Sequence, residues 1–81
     1  MDLGIKDRGF ILVGGSRGIG RALANILASN GARVAIISRG DASETAIELS
    51  KNTGSPVYSF SGDARNADEI GDAIDAACAA L

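Results

Sequence analysis

The sequence predicts an α/β fold in which three parallel strands alternate with three helices, in the order βαβαβα. Three short apolar or β-branched runs bounded by Gly, Ser, Asn or Pro predict the strands, at residues 10–13, 34–37 and 57–60. Apolar residues at helical spacing occupy the segments between and after them. Parallel strands need crossovers, and right-handed crossovers give the strand order 3-2-1. Residues 1–81 are therefore expected to form a single domain, half of a doubly wound sheet.

Apolar stripes predict which faces of two helices are buried. In the first helix the stripe has the spacing i, i+4, i+7 and i+8 and consists of Ile19, Leu23, Ile26 and Leu27. In the third helix it consists of Ile70, Ile74, Ala77, Cys78 and Leu81. We expect both stripes to face the sheet, with the single cysteine packed in the core as a small hydrophobic residue.

Capping signals predict where the helices begin and end. Asp41 and Asn66, each followed by Glu three residues later, are predicted to cap the second and third helices. Gly31 and Gly54 are predicted to end the first and second, because glycine readily adopts the left-handed conformation. The third helical pattern has no such stop signal before residue 81.

Composition argues against several classes of function. The chain has 8 Lys and Arg against 10 Asp and Glu, no His and one Cys. No basic run interleaves with the aromatic residues, so we expect no nucleic-acid partner. The longest apolar run, residues 10–13, is far too short for a membrane span or a signal peptide, so we expect a cytoplasmic protein. Without His, no zinc site or Cys-His catalytic arrangement is expected, and we predict no metal.

The clearest candidate site is GGSRGIG, residues 14–20, directly after the first strand. No register fits G-x-G-x-x-G, and a P-loop register puts Arg21 and Ala22 where Lys and a hydroxyl residue are required. The spacing fits G-x-x-x-G-x-G at Gly14, Gly18 and Gly20. Between a strand and a helix, such glycines let the backbone and the helix N-terminus approach a phosphate. The loop therefore predicts a phosphate-bearing ligand.

These residues resemble a known family. ILVGGSRGIGRALA is similar to the cofactor loop of the short-chain dehydrogenases/reductases, a family of oxidoreductases with a Rossmann fold. NGARVAIISR is similar to the second strand of the family, and GDARN to the Asp-containing step after its third strand. The resemblance covers nearly the whole chain. It departs at Val13, where the family usually has Thr, and at Ala64, where a larger aliphatic residue is usual.

The resemblance implies a site for the ADP-ribose part of a dinucleotide. Near the adenosine ribose, Ser38 and Arg39 replace the acidic residue that would accept from the 2′-OH of NAD, which favours NADP. Asp63 either holds the adenine amino group or caps the following helix. The predicted cofactor-binding residues are Gly14, Ser16, Arg17, Gly18, Ile19, Gly20, Ser38, Arg39, Asp63 and Ala64.

The catalytic segments of the family have no counterpart in the 81 residues. These are the Asn-Asn-Ala-Gly segment, the catalytic Ser and the Tyr-x-x-x-Lys pair; Tyr58 is followed four residues later by Gly62. We therefore expect an NADP(H)-binding module without catalytic residues, inactive alone, as a truncated or split part of an oxidoreductase. The alternatives are a free-standing nucleotide-sensing module and a structural homodimer or relic without a ligand.

The outer edge of the first strand predicts association. Residues 10–13 carry no charge or Pro that would protect an unpaired edge. We expect a homodimer, formed most simply by antiparallel pairing of two first strands, or a complex with a complementing chain.

Overall fold

The computed structural model describes residues 4–14 and 18–81. Within them the elements are β1 (Gly9–Val13), α1 (Gly18–Ser29), β2 (Arg33–Ser38), α2 (Ser43–Thr53), β3 (Val57–Ser61) and α3 (Ala67–Ala80). The predicted alternation of strands and helices is confirmed. Among these three helices, none combines the length and the apolar character needed to cross a membrane.

The three strands form one parallel sheet in the order β1-β2-β3, as predicted. Phe10 of β1 lies opposite Val34 of β2, which in turn lies opposite Val57 of β3. Because all three strands run in the same direction, their carboxyl ends meet at one edge of the sheet, the carboxyl edge.

Both faces of the sheet are covered. Val34 and Ile36 point to the face on which α1 and α2 pack. Ala35 and Ile37, which alternate with them, point to the face covered by α3. A strand buried on both sides has a continuous apolar run, which explains why β2 is so clear in the sequence.

The helix boundaries follow largely from local signals. Gly31 ends α1 with a φ of 85°, its N–H donating to Ala28 O while the Ala32 N–H donates to Leu27 O, a Schellman motif. Gly54 ends α2 in the left-handed conformation, and the Asn66 side chain caps α3 by accepting from two backbone N–H groups. These three predictions are confirmed.

The start of α2 differs from its prediction by one residue. The helix begins at Ser43 with Ala42 in the cap position, where no side chain makes a capping bond. Asp41 lies just before it, and its Oδ1 accepts from the Ser43 N–H at 2.9 Å. Hydrogen bonds from Ser43, through its side chain and then its backbone, lower the pKa of Asp41.

The predicted buried stripe of α1 is wrong in three of its four members. Leu27 is buried, but Ile19 is 89% exposed, and Leu23 and Ile26 are more than two-fifths exposed. The helix instead buries small residues, with Ala24 and Ala28 completely covered. Alanine lets the helix axis approach the sheet closely, and the larger side chains are left on a different face.

The predicted core position of Cys78 is also wrong, because its side chain is exposed. The buried line of α3 runs through Ala73 and Ala77, four residues apart. Cys78 lies about 100° further round the helix from Ala77 and so misses the sheet. Ile74, another member of the predicted stripe, is 37% exposed for the same reason.

Candidate functional site

Three loops meet at the carboxyl edge, one after each strand. The first residue of the β1 loop is anchored to the neighbouring strand, because the Gly14 N–H donates to Ile37 O at 2.6 Å. The β3 loop is anchored in the same way, with the Gly62 N–H donating to Ser38 O at 2.8 Å. These bonds extend the strand pairing by one residue and fix where the loops leave the sheet.

Two glycines of the GGSRGIG loop adopt a conformation that glycine favours. Gly14 and Gly18 have φ values of 80° and 54°, in the left-handed region. A Cβ built on either would have no described atom within 4 Å. These glycines are therefore required for backbone conformation, and none of the described side chains fills the space beside them. Ser16 and Arg17 lie outside the described residues.

The helix that follows the loop suits an anion. The first turn of α1 contains no acidic side chain, whereas the first turns of α2 and α3 contain Glu44 and the pair Asp68 and Glu69. Gly20 is half-buried in the first turn of α1, while the Ile19 side chain points to solvent. Free N–H groups and the positive end of the dipole at this N-terminus are thus not countered by a carboxylate in the same turn.

The end of β2 forms a tight turn. Ser38 is buried, and its hydroxyl donates to Gly40 O at 2.8 Å. The Arg39 side chain is 73% exposed and extends toward the loop after β3, where its Nε lies 3.9 Å from Asp63 Oδ2. Ser38 therefore shapes the turn, and Arg39 supplies an accessible positive charge at the carboxyl edge.

Asp63 does not cap the following helix, since Asn66 does so. Its carboxylate instead binds Arg65: Oδ1 accepts from the Arg65 N–H at 2.9 Å and from Nε at 3.1 Å, and Oδ2 accepts from Nη2 at 3.0 Å. The Arg65 side chain is thus the main cause of a lowered pKa at Asp63, with a smaller contribution from Arg39. Ala64, between Asp63 and Arg65, is exposed.

Sequence reasoning missed Arg65. The signal was an Asp followed two residues later by Arg at the end of a strand, where a turn can fold the guanidinium back onto the carboxylate. Among the predicted residues, the structure brings Arg39 and Asp63 together directly, while Gly14 directly follows β1 at the same edge and Gly18 is the first residue of α1. Their roles in binding remain predictions.

An open cleft of about 340 Å³ lies near this site, between α1 and α2. It is lined by Gly18, Arg21, Ala22, Asn25, Leu49 and Asn52. Of the described residues of the glycine loop, Gly18 lines this cleft, and Arg21 binds Glu48 beside it at 2.7 Å. In residues 4–14 and 18–81, no group of three or more His, Cys, Asp or Glu side chains is placed to hold a metal ion.

Comparison with known proteins decides the family. Residues 9–81 match the family model described as short chain dehydrogenase. The chain belongs to the short-chain dehydrogenase family. The resemblance of the glycine loop and the strands is thereby confirmed.

Among similar short-chain dehydrogenases, 3-dehydrosphinganine reductase TSC10A of Arabidopsis thaliana is 44% identical over 75 residues, which cover 88% of this chain and 22% of that protein. The structure of L-sorbose reductase from Gluconobacter frateurii, complexed with NADPH and L-sorbose, is 29% identical with a TM-score of 0.85. It is matched over 95% of this chain and 30% of that one. For NADPH-dependent 3-quinuclidinone reductase from Rhodotorula rubra, the identity is 31% and the TM-score 0.83, over 89% and 28% of the two chains. The chain spans less than a third of the length of these relatives.

Proposed function

We infer that this chain binds the ADP-ribose part of NADP(H) at the carboxyl edge of its sheet. The observation that carries this proposal is the end of β2, where Ser38 replaces an acidic residue and the exposed Arg39 follows it. An acidic residue there would accept from the ribose 2′-OH of NAD, whereas a guanidinium suits a 2′-phosphate. Similarity to reductases whose names or complexes include NADPH supports the same choice.

The glycine loop and α1 are proposed to bind the pyrophosphate. Positive φ at Gly14 and Gly18, with no described atom within 4 Å of a Cβ built on either, allows the backbone to approach an anion closely. The N–H groups of the first turn of α1, including those of Ile19 and Gly20, would then donate to phosphate oxygens. No carboxylate in that turn opposes the ligand charge.

The other two loops are proposed to bind the adenosine. Ser16 and Arg17 join Ser38 and Arg39 at the 2′-phosphate, by the family resemblance. By the family resemblance, the Asp63 carboxylate accepts from the adenine amino group; it lies 3.9 Å from Arg39, and its lowered pKa keeps it ionised at neutral pH. Ala64 lies against the ring in this proposal. When bound, NADPH supplies the reducing equivalent for a carbonyl reduction.

A direct test uses a ligand that ends at the ADP-ribose part. Because these residues hold only that part, 2′-phospho-ADP-ribose is expected to bind the chain about as tightly as NADPH. Titration calorimetry with both ligands measures this. A matched variant, Gly18→Val, places a β-branched side chain at a φ of 54° in the loop and should abolish binding of both. Absence of binding of both ligands to the unmodified chain would contradict the proposal.

We also propose that the 81 residues alone do not reduce carbonyls. Reduction needs a positioned proton donor as well as the cofactor, and the Tyr-x-x-x-Lys pair that resemblance assigns to this role is not in the sequence. NADPH oxidation with a panel of aldehydes and ketones is expected to stay at the uncatalysed rate. Turnover that follows the purified chain through successive columns, and is lost in Gly18→Val, would show that the chain is an enzyme by itself.

For the partner, we propose a second copy of this chain at the open edge of β1. Within the described residues β1 pairs only with β2, and none of its five residues is charged or Pro. The opposite edge of the sheet, on β3, begins directly after Pro56 and carries Ser59 and Ser61. Because Pro and polar residues discourage edge pairing, the β1 edge is the one suited to association.

The exposed face of α1 supports a symmetric partner. Arg21 points to α2 through Glu48, so Ile19, Leu23 and Ile26 lie on the side of α1 away from α2. α1 packs on β1 and β2 and α2 packs on β3, so this apolar face adjoins the β1 edge. A two-fold axis normal to the sheet would pair the β1 strands antiparallel and bring the two uncharged α1 faces together.

A further inference from the structure

Asp63 lies between two arginines at the carboxyl edge. Arg65 comes from the same loop, and its guanidinium donates to both carboxylate oxygens, at 3.1 and 3.0 Å. Arg39 comes from the loop after β2 and is 3.9 Å from Oδ2. The carboxylate therefore binds Arg65 in bidentate geometry and holds Arg39 only at the outer limit of an ion pair.

This difference decides which guanidinium is available to a ligand. A single exposed contact at 3.9 Å contributes little, and the Arg39 side chain is 73% exposed. Because Arg65 already donates three hydrogen bonds to the Asp63 carboxylate, one of them from its backbone, few acceptor positions remain for Arg39. Arg39 is thus free to turn toward an anion.

Removal of Arg65 would change the net charge of the three side chains, and it would let Asp63 compete with a phosphate for Arg39. The three side chains together carry one net positive charge, from two guanidinium groups and one carboxylate. Without Arg65 that sum is zero, and Arg39 is the nearest cation to Asp63 among the residues that the structure describes. The carboxylate would then draw Arg39 into a closer ion pair and compete with a ligand phosphate for the same guanidinium.

We propose that Arg65 determines specificity for the 2′-phosphate of NADP(H) by occupying Asp63 and so keeping Arg39 available. The inference rests on the proposed function, in which Arg39 contacts the 2′-phosphate. Arg65 acts as a positioning residue, through Asp63, and touches neither the phosphate nor the reacting atoms in this role. Neither the glycine loop nor the second strand contains a sequence pattern that predicts this role of Arg65.

The experiment measures the ratio of the Kd for NADH to the Kd for NADPH in Arg65→Gln, Arg65→Lys and the unmodified chain. Both cofactors contain the same adenine, so changes in the adenine contact cancel in the ratio. Arg65→Gln is expected to lower the ratio about fivefold, mainly through weaker NADPH binding. The ratio for Arg65→Lys should lie between those of Arg65→Gln and the unmodified chain, since Lys keeps the charge but cannot bind in bidentate geometry. Arg33→Gln removes one positive charge at the other end of β2 and should leave the ratio unchanged.

The double variant Asp63→Asn, Arg65→Gln separates this role from a purely structural one. Once residue 63 is neutral, its side chain no longer competes with the phosphate for Arg39, and the ratio should return toward that of the unmodified chain. A ratio unchanged in Arg65→Gln, or not restored in the double variant, would overturn the inference while the proposed function stands. If the unmodified chain does not prefer NADPH, the proposed function and this inference both fail.

Discussion

Gly62 and Ala73 lie so close together that a Cβ built on Gly62 would be 3.1 Å from the Ala73 Cβ. The same Cβ would be 3.4 Å from Glu69 O and from Ile37 Cγ2, so α3 and β2 both limit the space at this position. Gly62 is the first residue after β3 and leads into the loop that carries Asp63. Close packing of α3 against this glycine therefore sets the position of one side of the candidate site.

Gly62→Ala is expected to destabilise the fold by about 1 to 2 kcal/mol, because α3 would have to move outward to accept the methyl group. Gly71→Ala is the matched control, since Gly71 lies within α3 and a Cβ there meets nothing within 4 Å among the described atoms. That change should stabilise the chain by up to about 1 kcal/mol through helix propensity. Urea unfolding of both variants measures the difference, and equal effects would contradict the packing argument.

Acid should remove the stabilisation that comes from Asp63. Hydrogen bonds from Arg65 lower the pKa of this carboxyl from its usual 3.8, so the folded state binds the proton more weakly than the unfolded state. The contribution is therefore complete above about pH 4 to 5 and is lost as the pH falls through the lowered pKa. Between pH 5 and pH 3 the free energy of unfolding should fall more in the unmodified chain than in Asp63→Asn. From pH 5 to pH 7 the two free energies should change in parallel. Identical acid dependence would contradict this account.

Association through the β1 edge should depend on the exposed face of α1. Leu23→Glu and Ile26→Glu each introduce a charge on that face and are expected to shift the sedimentation coefficient from dimer to monomer. Ile47→Glu is the control, because Ile47 is 64% exposed on α2, away from β1. A monomer at high micromolar concentration in the unmodified chain would contradict the proposed dimer. If both α1 variants still form the dimer, the exposed face of α1 is not part of the interface.

The sequence predicted the elements and the strand order because local signals agree with the fold. The continuous apolar run of β2, which is buried on both faces, the glycine that ends each of α1 and α2, and the capping side chain of Asn66 are each encoded within a few residues. The buried face of α1 was missed because a hydrophobic pattern favours large side chains, whereas the sheet requires alanines at Ala24 and Ala28 for close approach. Arg65 was missed because its contact with Asp63 depends on the turn after β3, and the spacing of apolar residues does not predict that turn.

Recognition of a 2′-phosphate by Arg39 is tested most directly by parallel titrations of the chain with NADPH and NADH. NADPH is expected to bind at least about tenfold more tightly, since one hydrogen bond to a charged phosphate contributes about 1.5 to 3 kcal/mol. Arg39→Asp should erase or reverse this preference, because its carboxylate repels the phosphate and accepts from a 2′-OH. Equal affinities for the two cofactors in the unmodified chain would contradict the account.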